Sequence, residues 1–298
     1  MKAIEFSTSL RANVPTKIGL FSDLHLDNPN FDKATFEEHA NYCLKDGRYM
    51  LFDGDIFDAI IRTDKKRAVN SLLESGDNQL NMKLDKAYEL LKPYQKQILF
   101  MGRGNHEESI LKYSGIDVLD LLAKMLNSGK KHQIVVGNYA NFIRFSWLNT
   151  NNRTKLKYDI YAHHGAGGSA PQSKGMLDFA ALEKGANVDL IWIGHKHNSL
   201  IDYSAPIMFI DQNGNIILKN RQCIQTPSYQ KGRTIDYNVN FAERFYNHTA
   251  LSGFGELTIT PEASRGEGYT LKTDLKITTK PQAILGEVIS SKLTQRKR

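Results

Sequence analysis

The sequence predicts an α/β domain, and three observations carry that expectation. Short apolar, β-rich runs recur along the first two thirds of the chain. Helical patterns with a single apolar face lie between the early runs. Several of the runs end in the same few polar residue types. Strand then helix, repeated, is the pattern of strands packed under helices. With 298 residues, 41% hydrophobic and 24% charged, the chain is long enough for a sizeable core and ordinary for a globular protein.

The expected strands are "KIGLFS" (17–22), "YMLFDG" (49–54), "QILFMG" (97–102), "HQIVVG" (132–137), "NFIRFSW" (141–147), "YDIYAH" (158–163) and "VDLIWIG" (188–194). Most are nearly continuous in apolar residues, as strands buried on both faces are. Residues 32–46 place Phe36, Ala40, Cys43 and Leu44 on one helical face. Residues 79–92 do the same with Leu80, Leu84, Ala87, Leu90 and Leu91, and Pro93 closes that helix. Further helices are expected over 116–127 and 174–185. After residue 200 the helical signal fades. "PIMFID" (206–211) and "NIILKN" (215–220) flank Asn213-Gly214, a strong hairpin signal. "RQCIQT", "GELTIT" and "YTLKTDLKIT" read as further strands, expected to build a second sheet joined to the first. One domain over 1–285 and a disordered basic tail over 286–298 complete the expected organisation.

The net charge is +7, and Lys292, Arg296, Lys297 and Arg298 supply four of it, leaving about +3 for the rest. The basic balance is therefore a weak pointer to nucleic acid. Cys43 and Cys223, the two cysteines, offer no framework of bridges and read as buried thiols in a reducing compartment. The N-terminal stretch lacks an apolar leader pattern, and no apolar run is long enough to span a bilayer. The expectation is a cytoplasmic protein without a membrane partner.

The strand ends carry the chemistry. The first gives Asp23 and His25 in "GLFSDLHLD". Side chains two apart on a strand share a face, so both are expected to project past its C-terminal edge, where ligands sit in α/β folds. The second gives Asp55 and Asp58 in "GDIFD". The third gives Asn105, His106 and Glu107 in "GRGNHE". Later strands give His163 and His164 in "AHHGAGG", and His195 and His197 in "GHKHN". Any one of these is unremarkable: a histidine at a strand end is often only hydrogen-bonded, and Asp58 suits a helix cap. Five strand ends with Asp, Asn or His are harder to explain structurally. The chemistry that uses this set is a pair of divalent cations, with Mn, Fe, Zn and Ni suited to Asp, His and Asn donors. Two such ions clamp the oxygens of an in-line phosphoryl displacement. Their charge of +4 against Asp23 and Asp55 leaves +2, and a bridging hydroxide leaves +1, which accepts an anionic phosphate. Neither cysteine lies in these motifs, so an acyl nucleophile has no candidate there.

The ordered series D-x-H, G-D-x-x-D, G-N-H-E, H-x-G and G-H-x-H, over residues 23–197, is similar to that of the calcineurin-like metallophosphoesterases. The resemblance implies a four-layer α/β/β/α sandwich with two mixed β-sheets and two divalent metal ions at their shared edge, Mn²⁺ foremost. It implies Asp23, His25, Asp55 and His197 as ligands of one metal. Asp55, Asn105, His163 and His195 would hold the other, with Asp55 bridging. A hydroxide held by the metals would attack phosphorus, and His106 would stabilise charge or protonate the leaving oxygen. His163 and His164 alternate in direction. In the family the ligand often stands two residues before a Gly or Pro, which favours His163, while the family's HG pattern favours His164. His163 is preferred here, which leaves His164 behind the ligands or on the floor of the cleft. Asp58 would support the ligands from behind.

Arg103 and Glu107 match the "RGNHE" form of phosphoprotein phosphatases. Those enzymes follow G-D-x-x-D with Arg-Gly, whereas this chain has Ala59 and Ile60. The "HHGAGG" element looks more like phosphoesterases of bacteriophage and prophage genomes. "RTDKKR" (62–67), net +3, suits a phosphate backbone or a solvated loop, and "GAGGSAPQSKG" (165–175) a loop that closes over substrate or a passive connection. A phosphodiesterase or nuclease acting on DNA, RNA or a nucleotide is therefore the expected function. The alternatives are a phosphomonoesterase for a protein or metabolite, with Arg103 or Arg221 gripping the dianion, and a metal-bearing module without catalysis.

Overall fold

In a computed structural model of the chain, two six-stranded mixed sheets face each other. The structure describes residues 1–58, 79–129, 133–151, 153–167, 175–203, 206–210, 214–231, 251–264 and 268–280. The expected loop at 62–67, most of the loop at 165–175 and the tail at 286–298 lie outside the described residues.

The first sheet is built on four parallel strands, β2 (Thr16–Phe21), β3 (Tyr49–Asp53), β4 (Ile98–Gly102) and β5 (Val135–Val136). Two long antiparallel strands, β13 (Ser252–Ser264) and β14 (Gly268–Lys280), extend it from the free edge of β2. The second sheet runs β1 (Lys2–Ser9), β6 (Ala140–Leu148), β7 (Thr154–His163), β8 (Leu190–Ile193), β12 (Gln222–Gln225) and β9 (Leu200–Asp202). A hairpin, β10 (Ile207–Ile210) and β11 (Ile216–Lys219), forms a separate two-stranded ribbon.

Strand alternation sorts the side chains into layers. Ile18, Leu20, Leu51 and Phe100 of the first sheet meet Ile143, Phe145, Trp147, Tyr158, Ile160, Ala162, Leu190 and Trp192 of the second in one buried cluster between the sheets. The other face of the first sheet, with Phe21, Met50, Phe52 and Met101, packs under α1 (Lys33–Asp46), α2 (Gln79–Leu91) and α4 (Val118–Asn127). The outer face of the second sheet, with Tyr161, Ile191 and Ile193, packs under Phe179 of α5 (Met176–Glu183). The result is the four-layer α/β/β/α arrangement expected. Among the described residues no helix is long and apolar enough to cross a membrane.

Local sequence explains the helix ends. Asp32 accepts the Thr35 N–H, and Asp117 accepts the Asp120 N–H, so each caps a helix start. Gly47 ends α1 at φ 67°, a conformation that disfavours a β-carbon.

Three expectations change. β1 had no strand signal, because most of its side chains are exposed and it is held through parallel pairing with β6. A further helix, α3 (Asn105–Ser114), begins inside the "GRGNHE" motif. The strands after residue 250 do not build the second sheet. β13 pairs with β2, because that edge is otherwise open, and the second sheet is assembled around β6, β7 and β8.

Phe21 stacks on Phe254 with ring centres 4.8 Å apart and the planes 5° from parallel, and packs 5.3 Å from Phe52. It thus joins β13, β2 and β3 beneath α1. Phe21→Ala is expected to cost about 3–5 kcal/mol. A urea titration should show this as a lower midpoint at unchanged slope, and a midpoint within error of the parent would show that the ring stack is dispensable.

Candidate metal centre

The parallel strands β2, β3 and β4 end side by side, and their following loops stay paired. The Asp23 N–H donates to the Gly54 carbonyl (3.1 Å), His25 N–H to Asp55 O (3.0 Å) and Leu26 N–H to Ile56 O (2.9 Å). These bonds place "SDLHL" and "GDIFD" in register, so Asp23, His25 and Asp55 share one pocket. β7 and β8 of the second sheet, also parallel, bring their own ends to the same edge.

Among the described residues three groups of ligand-type atoms result, the atoms of each within 4.8 Å of one another: Asp23, His25 and His197; Asp55, His164 and His195; and His25, Asp58 and His106. His25 Nε2 lies 3.3 Å from His197 Nε2, and His197 Nε2 lies 3.4 Å from Asp23 Oδ1. His164 Nε2 lies 3.0 Å from Asp55 Oδ2. Asn105 starts α3 directly after Gly104, and Gly104 packs so closely that a β-carbon there would fall 2.1 Å from Asp55 Oδ1.

His164, not His163, enters the cluster, which reverses the preference drawn from spacing. Along β7, Tyr158, Ile160 and Ala162 face the space between the sheets. The same parity turns His164 inward, where it is fully buried. His163 turns to the outer face instead, with its ring 5.5 Å from Tyr139 and 6.1 Å from Tyr161, and its Nδ1 accepts the Gly165 N–H at 2.9 Å. The signal was available in "KYDIYAHH", whose Lys157 and Asp159 mark the outward positions.

The neighbouring residues take support roles. Asp58 Oδ1 is 3.3 Å from His25 Nδ1 and 3.4 Å from His106 Nδ1, and Asn28 holds its other oxygen at 3.0 Å. It therefore turns the Nε2 atoms of both rings inward. Glu107 does not face a substrate. Buried, it accepts N–H groups from Gly104 (2.8 Å), Asp55 (3.0 Å) and Phe57 (2.9 Å), tying "GDIFD" to the start of α3. Arg103 is held by Asp117 and by the Gly137 carbonyl (2.5 Å), and Arg221 by the carbonyls of Glu183 and Ala186 (3.0 Å each). Neither arginine is placed to grip a phosphate dianion. Sequence reading missed Ser228 and Tyr229, which both donate to the Asp23 carbonyl, at 2.8 and 3.1 Å. They lie more than 200 residues from their partner, and no local pattern marks them.

Backbone strain concentrates here. Asp23 (φ 53°), His25 (49°), Asp55 (49°), His195 (68°) and His197 (55°) all adopt the left-handed region. Among the described non-glycine residues only Asn13 joins them. Each such residue costs on the order of 1–3 kcal/mol, and such strain gathers where surrounding structure fixes a functional geometry.

The electrostatics favour positive charge. Burial opposes a proton on His25, yet Asp58, Asp55 and Asp23 raise its pKa to about 9. Burial likewise opposes a proton on His164, but Asp55, Asp23 and Asp53 raise its pKa well above the usual value. Burial raises Asp58, but the hydrogen bond and charge of His25 bring it down to about 2. Burial and nearby acids push Asp53 up to about 8. A pocket that pulls protons onto two buried imidazoles attracts a divalent cation to the same lone pairs. The Asp, His and Asn donors suit such an ion, so the residues present fit a pair of metals.

Comparisons with known proteins give a family and two distant structural likenesses. The family model described as calcineurin-like phosphoesterase matches residues 16–199. Among solved structures, the chain is similar to Vps29 of Chaetomium thermophilum, at 10% identity over 90% of this chain and 98% of that one, with TM-score 0.37. It is also similar to GAP50, the anchor in the inner membrane complex of Plasmodium, at 12% identity over 91% and 90%, with TM-score 0.42. A comparison with curated proteins finds no match.

The pKa shifts carry a sign. His25, raised from 6.5 to about 9, lends stability that is complete below pH 6.5 and lost as pH rises towards 9. Asp53, raised from 3.8 to about 8, loses stability over a window that overlaps it up to pH 8. The melting temperature of the chelator-treated protein should therefore fall between pH 6.5 and 9. A flat or rising profile would contradict the charge assignment.

Proposed function

The chain belongs to the calcineurin-like phosphoesterases, and on that premise we propose that it is a dinuclear-metal phosphodiesterase acting on a nucleic acid or nucleotide. One observation supports the reading: Asp23, His25 and His197 form one ligand group and Asp55, His164 and His195 another, at the ends of β2, β3, β7 and β8. Asp23, His25 and His197 would hold one cation. His164, His195 and Asn105 would hold the other, and Asp55 would serve both. Mn²⁺ is the favoured ion, with Fe, Zn and Ni accepted by the same donors. When bound, the two ions supply the charge that neutralises a phosphate and activates water.

The chain's own side chains do the rest. Asp58 and its carbonyl hold His106 through Nδ1, the carbonyl at 2.6 Å, so Nδ1 carries a proton. Nε2 is left facing the cluster, 3.9 Å from Asp55 Oδ2. That atom is the one from which a proton would pass to the leaving oxygen. Glu107 keeps the Asp55 backbone fixed while charge moves.

The preference for a diester rests on what surrounds the pocket. A monoester dianion brings one more negative charge, and enzymes that favour it add arginines whose fork matches phosphate oxygens. Here Arg103 and Arg221 are both committed to other partners.

With Mn²⁺, bis(p-nitrophenyl) phosphate is expected to show a higher kcat/KM than p-nitrophenyl phosphate. A clear preference for the monoester would replace the diesterase reading with a phosphatase. His106→Ala is expected to lose about 10²–10⁴-fold on esters with poor alkoxide leaving groups, and less on nitrophenyl esters. Equal losses across a leaving-group series would assign His106 to charge stabilisation instead.

A further inference from the structure

An ion pair stands behind the ligand loops. Lys83 Nζ of α2 donates to Asp27 Oδ2 at 2.6 Å, and Asp27 Oδ1 accepts the Asp58 N–H, also at 2.6 Å. The Asp27 side chain is 3% exposed and that of Lys83 23%. The backbone pairing of "SDLHL" with "GDIFD" runs as far as Leu26 N–H to Ile56 O. One residue on, the Asp27 carboxylate takes the place of a main-chain acceptor. Asn28 donates to Asp58 Oδ2 at 3.0 Å. Two consecutive residues thus grip Asp58, one by its main chain and one by its side chain.

The position of Lys83 is unusual for a lysine. It lies one turn from Leu80 and one turn from Ala87. Leu80, Leu84, Ala87 and Leu91 pack in the cluster between the first sheet and its helices. A lysine on that stripe gives up hydration that an outward position would keep. A carboxylate as buried as Asp27 needs a cation or hydrogen-bond donors. Each residue explains the other, and together they tie α2 to the loop that ends in Asp58.

We propose that the Lys83–Asp27 pair is a positioning device for His106, acting through Asp58. It rests on the reading of His106 as the proton donor. His106 Nδ1 meets the Asp58 carbonyl at 2.6 Å and Asp58 Oδ1 at 3.4 Å. Where that carbonyl sits follows from where the Asp58 main chain is held, and Asp27 holds its N–H. Removing the Asp27 carboxylate frees the main chain that anchors the ring. A misplacement of about 1 Å is enough to cost a factor of about 100. A pair that served only to dock α2 would lower all rates alike.

Aryl methyl phosphates with leaving groups from p-nitrophenol to phenol, assayed at saturating Mn²⁺, test this. Asp27→Ala is expected to lower kcat/KM about 10–100-fold on the phenyl ester and less on the p-nitrophenyl ester. Asp27→Asn keeps an acceptor for the Asp58 N–H and should lose less. Lys83→Met should fall in the same direction by a smaller factor, because Asp27 keeps its bond to Asp58. In a His106→Ala background, Asp27→Ala should cost no more than about twofold further. A uniform loss across the series where His106→Ala is selective, or a full further loss in the His106→Ala background, overturns the proposal. A second readout needs no turnover. With Zn²⁺ in place of Mn²⁺, the Nδ1 proton of His106 is identified by nuclear magnetic resonance from its loss in His106→Ala. It should exchange with water about tenfold faster in Asp27→Ala than in the parent. Unchanged exchange in the folded variant overturns the positioning role, whatever His106 does. Faster exchange alongside a His106→Ala variant with no leaving-group dependence upholds the positioning role and removes the proton-donor reading instead.

Discussion

Four aspartates, Asp23, Asp53, Asp55 and Asp58, meet in one buried pocket, and the fold is arranged around that constraint. Carboxylates gathered in a low dielectric repel one another and lose their water. Each must find N–H donors, an imidazole or a proton. Asp23 receives the His195 N–H on both oxygens, at 3.0 and 2.9 Å. Asp55 receives the His106 N–H at 3.0 Å and lies against His164. Asp58 lies between His25 and His106. Among the described residues Asp53 finds no hydrogen-bond partner on either oxygen, and it keeps its proton well above the usual carboxylate range. The parallel strand ends, the left-handed turns and the Glu107 cross-link all serve to hold these groups where cations can replace the protons.

Much of this was legible in the sequence, for physical reasons that differ by element. Buried parallel strands are nearly continuous in apolar residues, so β2, β3, β4 and β8 could be read directly. Ligand-type residues at their ends stood out because each follows an apolar run. β1 was not legible, since an exposed edge strand has no apolar pattern to show. The sheet joined by β13 and β14 was not legible either. Which edge a strand joins depends on which edges are open, and that is a property of the assembled sheet. The choice between His163 and His164 lay between these cases. Strand parity turns His164 inward with Tyr158, Ile160 and Ala162, whereas the family's spacing to a glycine favours His163.

The supporting residues mark the limit of local reading. The "RGNHE" match left open whether Glu107 supports the ligands or faces a substrate. Its side chain does not face a substrate, closing off instead three backbone N–H groups that would otherwise be buried unpaired. Arg103 and Arg221 looked available because sequence does not show Asp117 or the end of α5 beside them. A charge is free for catalysis only when folding leaves it without a structural partner.

The clamp on the Asp23 carbonyl has a bearing on how the molecule is made. Ser228 and Tyr229 follow β12, and Tyr229 also lies 6.1 Å from Phe21 in a stacked pair. Beyond them in sequence, β13 must still be laid antiparallel along β2. During synthesis from the N-terminus, the strand bearing Asp23 leaves the ribosome more than 200 residues before its clamp at Ser228 and Tyr229. Contacts spanning more than 200 residues are slow to close. A nascent chain stopped near residue 199 would carry every ligand-type residue yet lack the elements that fix Asp23 in its left-handed turn. The turn that holds Asp23 is thus fixed only once Ser228, Tyr229 and β13 have joined β2 and its following loop.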